Sequence, residues 1–363
     1  MDFTLTSLAG LAAEGFDTII DVRSPSEFAE DHLPGAINLP VLDDAERARV
    51  GTIYTRQSSF LARKIGAALV ARNAAAHLEG PLAEMPGGWR PLVYCWRGGQ
   101  RSGAFATILS QVGWRVARLE GGYKAWRRLV VAQVQDSPVP SPVIVLDGNT
   151  GSAKTEILAG LHARGLQTID LEGLANHRGS LFGAMPGGQP SQKAFEGRLA
   201  LALAALDPGR PVVVEAESSR IGNLALPKQI WAAIRAAPRV RIAAPAAARA
   251  AYLARSYADL TADRARLESV IGCLRRLHPA ERIEGWLRLA AAGAFEALAG
   301  ELMVLHYDPR YEKHRARHRP EREVVIETAE LTPEALPGLA ARVAAAVAEL
   351  ARGPAATRAA ASR

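Results

Sequence analysis

A cysteine that closes an apolar run and is followed by Gly-Gly and Arg-Ser has an anion-binding layout. The segment Tyr94 to Gly103, Y-C-W-R-G-G-Q-R-S-G, has that form. The loop must curl so that successive backbone N–H groups point inward, and Gly98 and Gly99 relieve the Cβ clashes this causes. A helix expected from about Ser102 adds its positive N-terminal end. Such a field favours the thiolate of Cys95, the nucleophilic form of the side chain. Arg97 and Arg101 are placed to add charge-assisted hydrogen bonds to a bound anion. A lone free cysteine is more often a small buried hydrophobe; the Gly-Gly-x-Arg context favours chemistry at Cys95. Cys273, in the helical stretch I-G-C-L-R-R-L, has no such context and is expected to pack.

A second constellation starts where V-I-V-L-D runs into Gly148, Asn149, Thr150, Gly151, Ser152, Ala153, Lys154 and Thr155. An apolar strand, a G-x-x-x-x-(G)-K-T loop and a following helix make the Walker A arrangement. The loop's N–H groups surround a phosphate, Lys154 neutralises it and Thr155 suits Mg²⁺. Ala153 stands where glycine is usual, and alanine fits there only with negative φ and enough room. The run V-V-V-E-A-E resembles a Walker B strand, so Glu215 or Glu217 could hold a metal or act as a base; a strand-end surface pair is an equal alternative. Between these lies D-L-E-G-L-A-N-H-R-G-S-L-F-G, polar and Gly-rich with no helical stripe. Loops of this kind carry function. Asp170, Glu172, Asn176, His177 and Arg178 are therefore substrate or metal candidates, joined by Gln192, Phe195 and Glu196 and by Glu217, Ser218 and Arg220. No metal is assigned.

These loops need parallel sheets behind them. In residues 1–130, T-I-I-D-V and P-L-V-Y read as buried strands and residues 58–76 as helix. This βα alternation predicts a parallel sheet with helices on both faces. Prolines at 138, 140 and 142 cannot continue a helix, which makes residues 131–142 a linker. Residues 143–353 form the second α/β domain, with strands at 143–147, 212–215 and 240–243, several helices over 246–299 and a late strand at 303–307. Residues 354–363 read as a flexible tail. No apolar run approaches the length of a membrane span. The N-terminus lacks the signal-peptide pattern, and two cysteines without an export signal point to a reducing cytoplasm. A formal net charge of +7 modestly favours a polyanionic or phosphorylated partner.

D-V-R-S-P-S-E-F, H-L-P-G-A-I-N, the cysteine loop and G-G-Y-K-A-W together resemble the rhodanese family over nearly all of residues 1–128. The resemblance implies that Cys95 holds sulfur or selenium as a persulfide-type adduct, that Asp21 and Arg23 brace the loop, and that His32, Gly35 and Asn38 are structural. Rhodaneses commonly place four residues between Cys and Arg; here there are five, Trp96 to Gln100, as in dual-specificity phosphatases. With D-G-N-T-G-S-A-K-T, D-L-E-G-L-A-N-H-R-G-S, E-A-E-S-S-R-I-G and Y-D-P-R-Y, the chain from Thr18 to Tyr311 is similar to the tRNA 2-selenouridine synthase family.

That similarity implies an α/β protein: an N-terminal rhodanese-like parallel-sheet domain, a P-loop NTPase-like α/β domain and a helical C-terminal portion. It also implies a transferase with tRNA as partner and two co-substrates, geranyl diphosphate and selenophosphate. Geranyl diphosphate alkylates the sulfur of wobble 2-thiouridine, and selenophosphate then replaces the geranylthio group to give 2-selenouridine. A selenophosphate-producing enzyme is an implied partner; a membrane is not. Arg275, Arg276, Arg310, Lys313, Arg315, Arg317 and Arg319 are candidate RNA phosphate contacts. Glu312, Glu321 and Glu323 interrupt the second group, so a solvated mixed face is the alternative there. Two other readings stay open: a phosphatase fused to a nucleotide-binding domain, and a non-catalytic sulfur-carrier module.

Overall fold

Apolar runs that end in polar residues become the strands. In the computed structural model, which describes residues 1–317 and 320–352, β1 (Asp2–Phe3), β2 (Thr18–Asp21), β3 (Ala36–Asn38), β4 (Pro91–Tyr94) and β5 (Ala117–Leu119) form a parallel sheet. The strand order is β1-β5-β4-β2-β3. β4 is buried along its whole length. A central parallel strand is covered on both faces, so P-L-V-Y has no solvent side to alternate toward. Ile20, Val93, Leu69, Val70, Phe105 and Leu109 meet in the core between this sheet and the helices Ser59–Glu79 and Gln100–Val112. The second of these helices starts directly after the cysteine loop and stops at Gly113, whose φ of +109° ends it.

The helix Tyr123–Val131 continues as a π-helix over Ala132–Asp136, into the segment expected to be linker, before the prolines stop it. The first unit comprises Met1–Asp136 and, beyond the sequence division, Pro190–Ala205. The returning helix Gln192–Ala204 brings Glu196 against Arg127, and Phe195 is fully buried. Both residues therefore serve packing in the first unit rather than a loop beside Lys154.

In the second unit, β6 (Val143–Gly148), β7 (Gln167–Ile169), β8 (Val212–Glu215), a hairpin of β9 (Arg220–Ile221) and β10 (Leu224–Ala225), β11 (Arg239–Ala243) and β12 (Glu323–Glu327) appear in turn. The parallel order is β12-β11-β6-β8-β7. β6 and β8 are neighbours, with Leu146 opposite Glu215, so their C-terminal ends open together, where α/β sheets bind ligands. Helices Lys154–His162 and Leu336–Ala351 bury Ile157, Leu161, Val343 and Val347 against the sheet. The helices between Ala246 and Leu302 gather round the fully buried Trp286.

Two expectations are corrected here. Met303–Tyr307 is a π-helix, continuous with Phe295–Leu302 before it and Asp308–Arg317 after it. Met303 and His306 are buried while Val304 and Leu305 are exposed, a helical spacing rather than the alternation of a strand. Cys273 is exposed, its Sγ resting 3.5 Å from the Ser269 carbonyl. Residues 354–363 and Arg319 lie outside the described residues. No helix among the described residues is long and apolar enough to cross a membrane.

Candidate functional site

Cys95 follows β4 and is buried, with Sγ 3.1 Å from Ser102 Oγ on the following helix. The loop turns at Gly98, φ +66°, where a Cβ would sit 2.6 Å from the Leu119 carbonyl oxygen. Gly122, φ +57°, passes so close beneath that a Cβ would run into the Cys95 carbonyl. The N–H groups of Tyr123 and Lys124 donate to the Cys95 and Trp96 carbonyls at 2.8 and 3.1 Å. The G-G-Y-K motif is thus the floor of the cysteine loop. Arg23, buried and bound to Asp21 at 2.6 Å, donates to the Asp31 carbonyl and lies 4.2 Å from the Tyr123 ring centroid. Tyr123 in turn stacks on Trp96, so the Asp21–Arg23 pair packs under the loop from below. Asn38 donates to the Asp21 and Arg23 carbonyls. Arg97 is exposed, while Arg101 donates to Glu27 at 2.8 Å. Burial alone would raise the Glu27 carboxyl; Arg101 and Arg47 outweigh it and hold it below its ordinary range.

The second site lies at the C-terminal end of β6. Thr150 through Thr155, Asp170, Glu172, His177 and Arg178 line one cavity of about 410 Å³, together with Tyr252, Tyr257 and Tyr311. Gly148 and Asn149 sit just behind it. Lys154 Nζ donates to the Gly148 carbonyl at 3.1 Å and faces the Tyr311 ring. Asp308 binds Asn149 Nδ2 at 2.8 Å and Arg249 at 2.8 Å, and Arg249 donates to the Thr150 carbonyl. Arg249 and Asp308 therefore clamp the loop; the Y-D-P-R-Y motif held the signal for Asp308, and nothing marked Arg249 among its many arginine neighbours.

Ala153 departs from expectation. Its φ is +57° and its methyl is buried. The backbone keeps the left-handed turn of the loop although the residue disfavours it, because the methyl packs into the core against the helix that follows.

Around Lys154 the electrostatics are unusual. Burial pushes Glu215 and Glu217 well above the usual carboxylate range and raises Glu172, and mutual repulsion adds to this for Glu215 and Glu217. Glu172 and Glu217 share a hydrogen bond, which adds to the rise at Glu217 and offsets part of it at Glu172. Lys154 loses charge stability through burial but more than regains it from Tyr311, Glu172, Glu217 and Asp147. Glu215 Oε1 accepts from the Glu172 N–H at 2.7 Å. Burial lowers His177 and so favours its neutral imidazole. Ser152 Oγ, His177 Nδ1, Arg178 Nη1 and Glu215 Oε2 are buried with no hydrogen-bond partner among the described residues. Ser152, His177 and Arg178 line the cavity, and orphaned polar atoms beside a cavity are what a polar ligand satisfies.

Other candidates fall elsewhere. Asn176, at φ +46°, ties the Pro186 and Gly188 carbonyls together. Ser218 and Arg220 hydrogen-bond each other in an exposed turn. Among the described residues no group of three or more His, Cys, Asp or Glu side chains is set to hold a metal. A Mg²⁺ beside Thr155 would draw its oxygens chiefly from phosphate and water, as Mg²⁺ commonly does.

A second, apolar cleft, small at about 70 Å³, adjoins the polar cavity. Phe182, Leu260, Leu267, Phe295, Leu302 and Met303 line it, and Thr150, Ser180, Leu253 and Tyr257 line both spaces. The sequence hid this cleft, because its walls come from separate helices whose apolar residues read as ordinary core.

Of the basic candidates, Arg275, Arg276 and Lys313 are exposed, and Arg310 donates to His306 at 2.6 Å. Arg315 lines a polar cavity with Asp147, Arg239 and Arg241. Arg317 closes the helix that begins at Asp308.

A family model described as the tRNA 2-selenouridine synthase AAA domain matches residues 141–272, and the rhodanese-like domain model matches residues 4–129. A tRNA 2-selenouridine synthase of Chromohalobacter salexigens is 36% identical, covering 81% of this chain and 86% of that protein. Another of Shewanella frigidimarina is 37% identical over 66% of each chain. A solved rhodanese-related protein of Thermoplasma volcanium is 20% identical, covering 35% of this chain and 92% of its own, with a TM-score of 0.22. The two family models span the cysteine loop and the phosphate loop, and with a relative 36% identical over most of both proteins the chain belongs to the tRNA 2-selenouridine synthase family.

Proposed function

We propose that this chain replaces sulfur by selenium at the wobble 2-thiouridine of tRNA, in two steps and in the cytoplasm. The name borne by its relatives supports the RNA substrate and the selenated product. In the first step geranyl diphosphate alkylates the thiocarbonyl sulfur in the P-loop unit. The observation that carries this reading is the apolar cleft sharing Thr150, Ser180, Leu253 and Tyr257 with the phosphate cradle. A nucleotide base would ask for polar partners beyond the phosphates; a prenyl chain asks for hydrocarbon. In the second step selenophosphate, held at the Cys95 loop, delivers the selenium that displaces the geranylthio group from carbon 2.

Mass spectrometry of tRNA nucleosides tests the reading. With geranyl diphosphate alone, S-geranyl-2-thiouridine should accumulate; adding selenophosphate should convert it to 2-selenouridine. Thiouridine left unchanged by both donors would overturn it.

A further inference from the structure

A diphosphate carries two phosphoryl groups, and Lys154 offers one cation. Arg178 lines the same cavity. Its place is fixed by a tight turn: Arg178 N–H donates to the Gly183 carbonyl at 2.9 Å and Ser180 N–H to the Arg178 carbonyl at 2.7 Å. Gly179, at φ +65°, passes where a Cβ would press on Glu172, and a Cβ at Gly183 would lie 2.9 Å from the Arg178 backbone. The string H-R-G-S-L-F-G is therefore the shape needed to aim one side chain. The guanidinium lies 4.7 Å from the Tyr257 ring centroid, and Nη2 donates to Asp259 at 2.9 Å. Nη1 is buried with no hydrogen-bond partner among the described residues. Arginine's planar fork thus has one edge clamped and one donor left over.

Arg178 lies over Tyr257, which with Ser180 borders both the polar cavity and the apolar cleft, so its guanidinium is beside their junction. A prenyl diphosphate with its phosphates in the cradle and the first carbons of its chain entering the cleft, which must widen beyond about 70 Å³ to take the rest, has its carbon–oxygen bond at that junction. We propose that Arg178 is the second cation of this site, binding the phosphoryl group next to the carbon chain while Lys154 binds the terminal one. This rests on the prenyl diphosphate reading. In the transfer, the C1–O bond breaks and its electron pair leaves on the diphosphate. A sulfur lone pair forms the new S–C1 bond, and the ring-nitrogen proton of the thiouridine passes to water. Arg178 donates to the oxygens where negative charge grows, a transition-state effect.

Calorimetric titration of the full chain with inorganic pyrophosphate and, separately, inorganic phosphate tests this. The wild type should prefer pyrophosphate. Arg178→Ala should lose that preference by about 10–100-fold in pyrophosphate affinity while keeping phosphate binding, as loss of one charge-assisted contact implies. Lys154→Ala should lose both anions. Asp259→Asn, which loosens the clamp but keeps the cation, should retain most of the preference. In geranyl transfer, Arg178→Ala should lower kcat about 10²–10³-fold. Undiminished pyrophosphate binding by Arg178→Ala overturns the role of Arg178; a wild type that binds neither anion overturns the diphosphate reading beneath it.

Discussion

At Ala153 side chain and backbone pull against each other. Left-handed φ costs a residue with a Cβ roughly 1–2 kcal/mol. Glycine would relieve that but give up about 0.8 kcal/mol of buried methyl and roughly 0.5–1 kcal/mol of chain entropy. These nearly cancel, so Ala153→Gly should move the unfolding free energy by less than about 1 kcal/mol in urea denaturation. A loss of 2 kcal/mol or more would mean that the methyl is an essential packing group. The sequence flagged this residue but could not give its φ, because a dihedral is set by the whole loop. Cys95, Lys154 and the N-H-R-G-S string stood out because packing alone asks for no such residue types at such spacing, and folding places Lys154 and that string at one cavity. Ser102 and Arg249 were not, since serine after a loop and arginine in an arginine-rich helix are unremarkable until folding places them beside Sγ and the Thr150 carbonyl.

The end of β8 sets a pH dependence for the element that carries it. Burial and mutual repulsion raise Glu215 and Glu217 in the folded state, so the native protein holds protons that the unfolded chain releases. Stability from this source is full below the ordinary carboxylate range and is lost as pH rises toward the folded values. His306 works oppositely: pushed down to about 4, chiefly by burial, it destabilises the native state below the ordinary histidine range. A comparison of variants separates the two. Glu217→Gln, whose amide can still donate to Glu172, should flatten the fall in unfolding free energy between pH 5 and 8 relative to wild type. Equal slopes would mean that Glu217 does not carry the raised titration. The strands themselves were read well, because V-I-V-L-D and P-L-V-Y are short, apolar and punctuated. The π-helix Met303–Tyr307 was misread because an isolated five-residue apolar run has no visible period; its helical neighbours decided it.

Across the whole molecule, a formal net charge of +7 and a tRNA substrate make binding salt-dependent, since each phosphate contact releases counterions. Reversing the exposed pair Arg275 and Arg276 to glutamate should weaken tRNA binding and reduce the salt slope by about 2, measured by filter binding or anisotropy. An unchanged slope would mark that turn as a solvated face. In the proposed reading the two units also divide the chemistry. Alkylation needs a diphosphate cradle and a nucleophile, and the nucleophile is the sulfur already on the RNA, so no protein cysteine takes part. Selenium delivery needs a soft nucleophile in an anion-binding loop, and among the described residues the other cysteine, Cys273, stands exposed on a short turn without such a loop. Cys95→Ser preserves size and loop shape but replaces the sulfur with a hydroxyl that is far less nucleophilic. The variant should therefore retain geranylation, lose selenation and accumulate S-geranyl-2-thiouridine in nucleoside analysis. Formation of 2-selenouridine at the normal rate would show that selenium does not pass by Cys95. Loss of geranylation as well would show that both steps depend on the cysteine loop, and that the division of labour between the units is wrong.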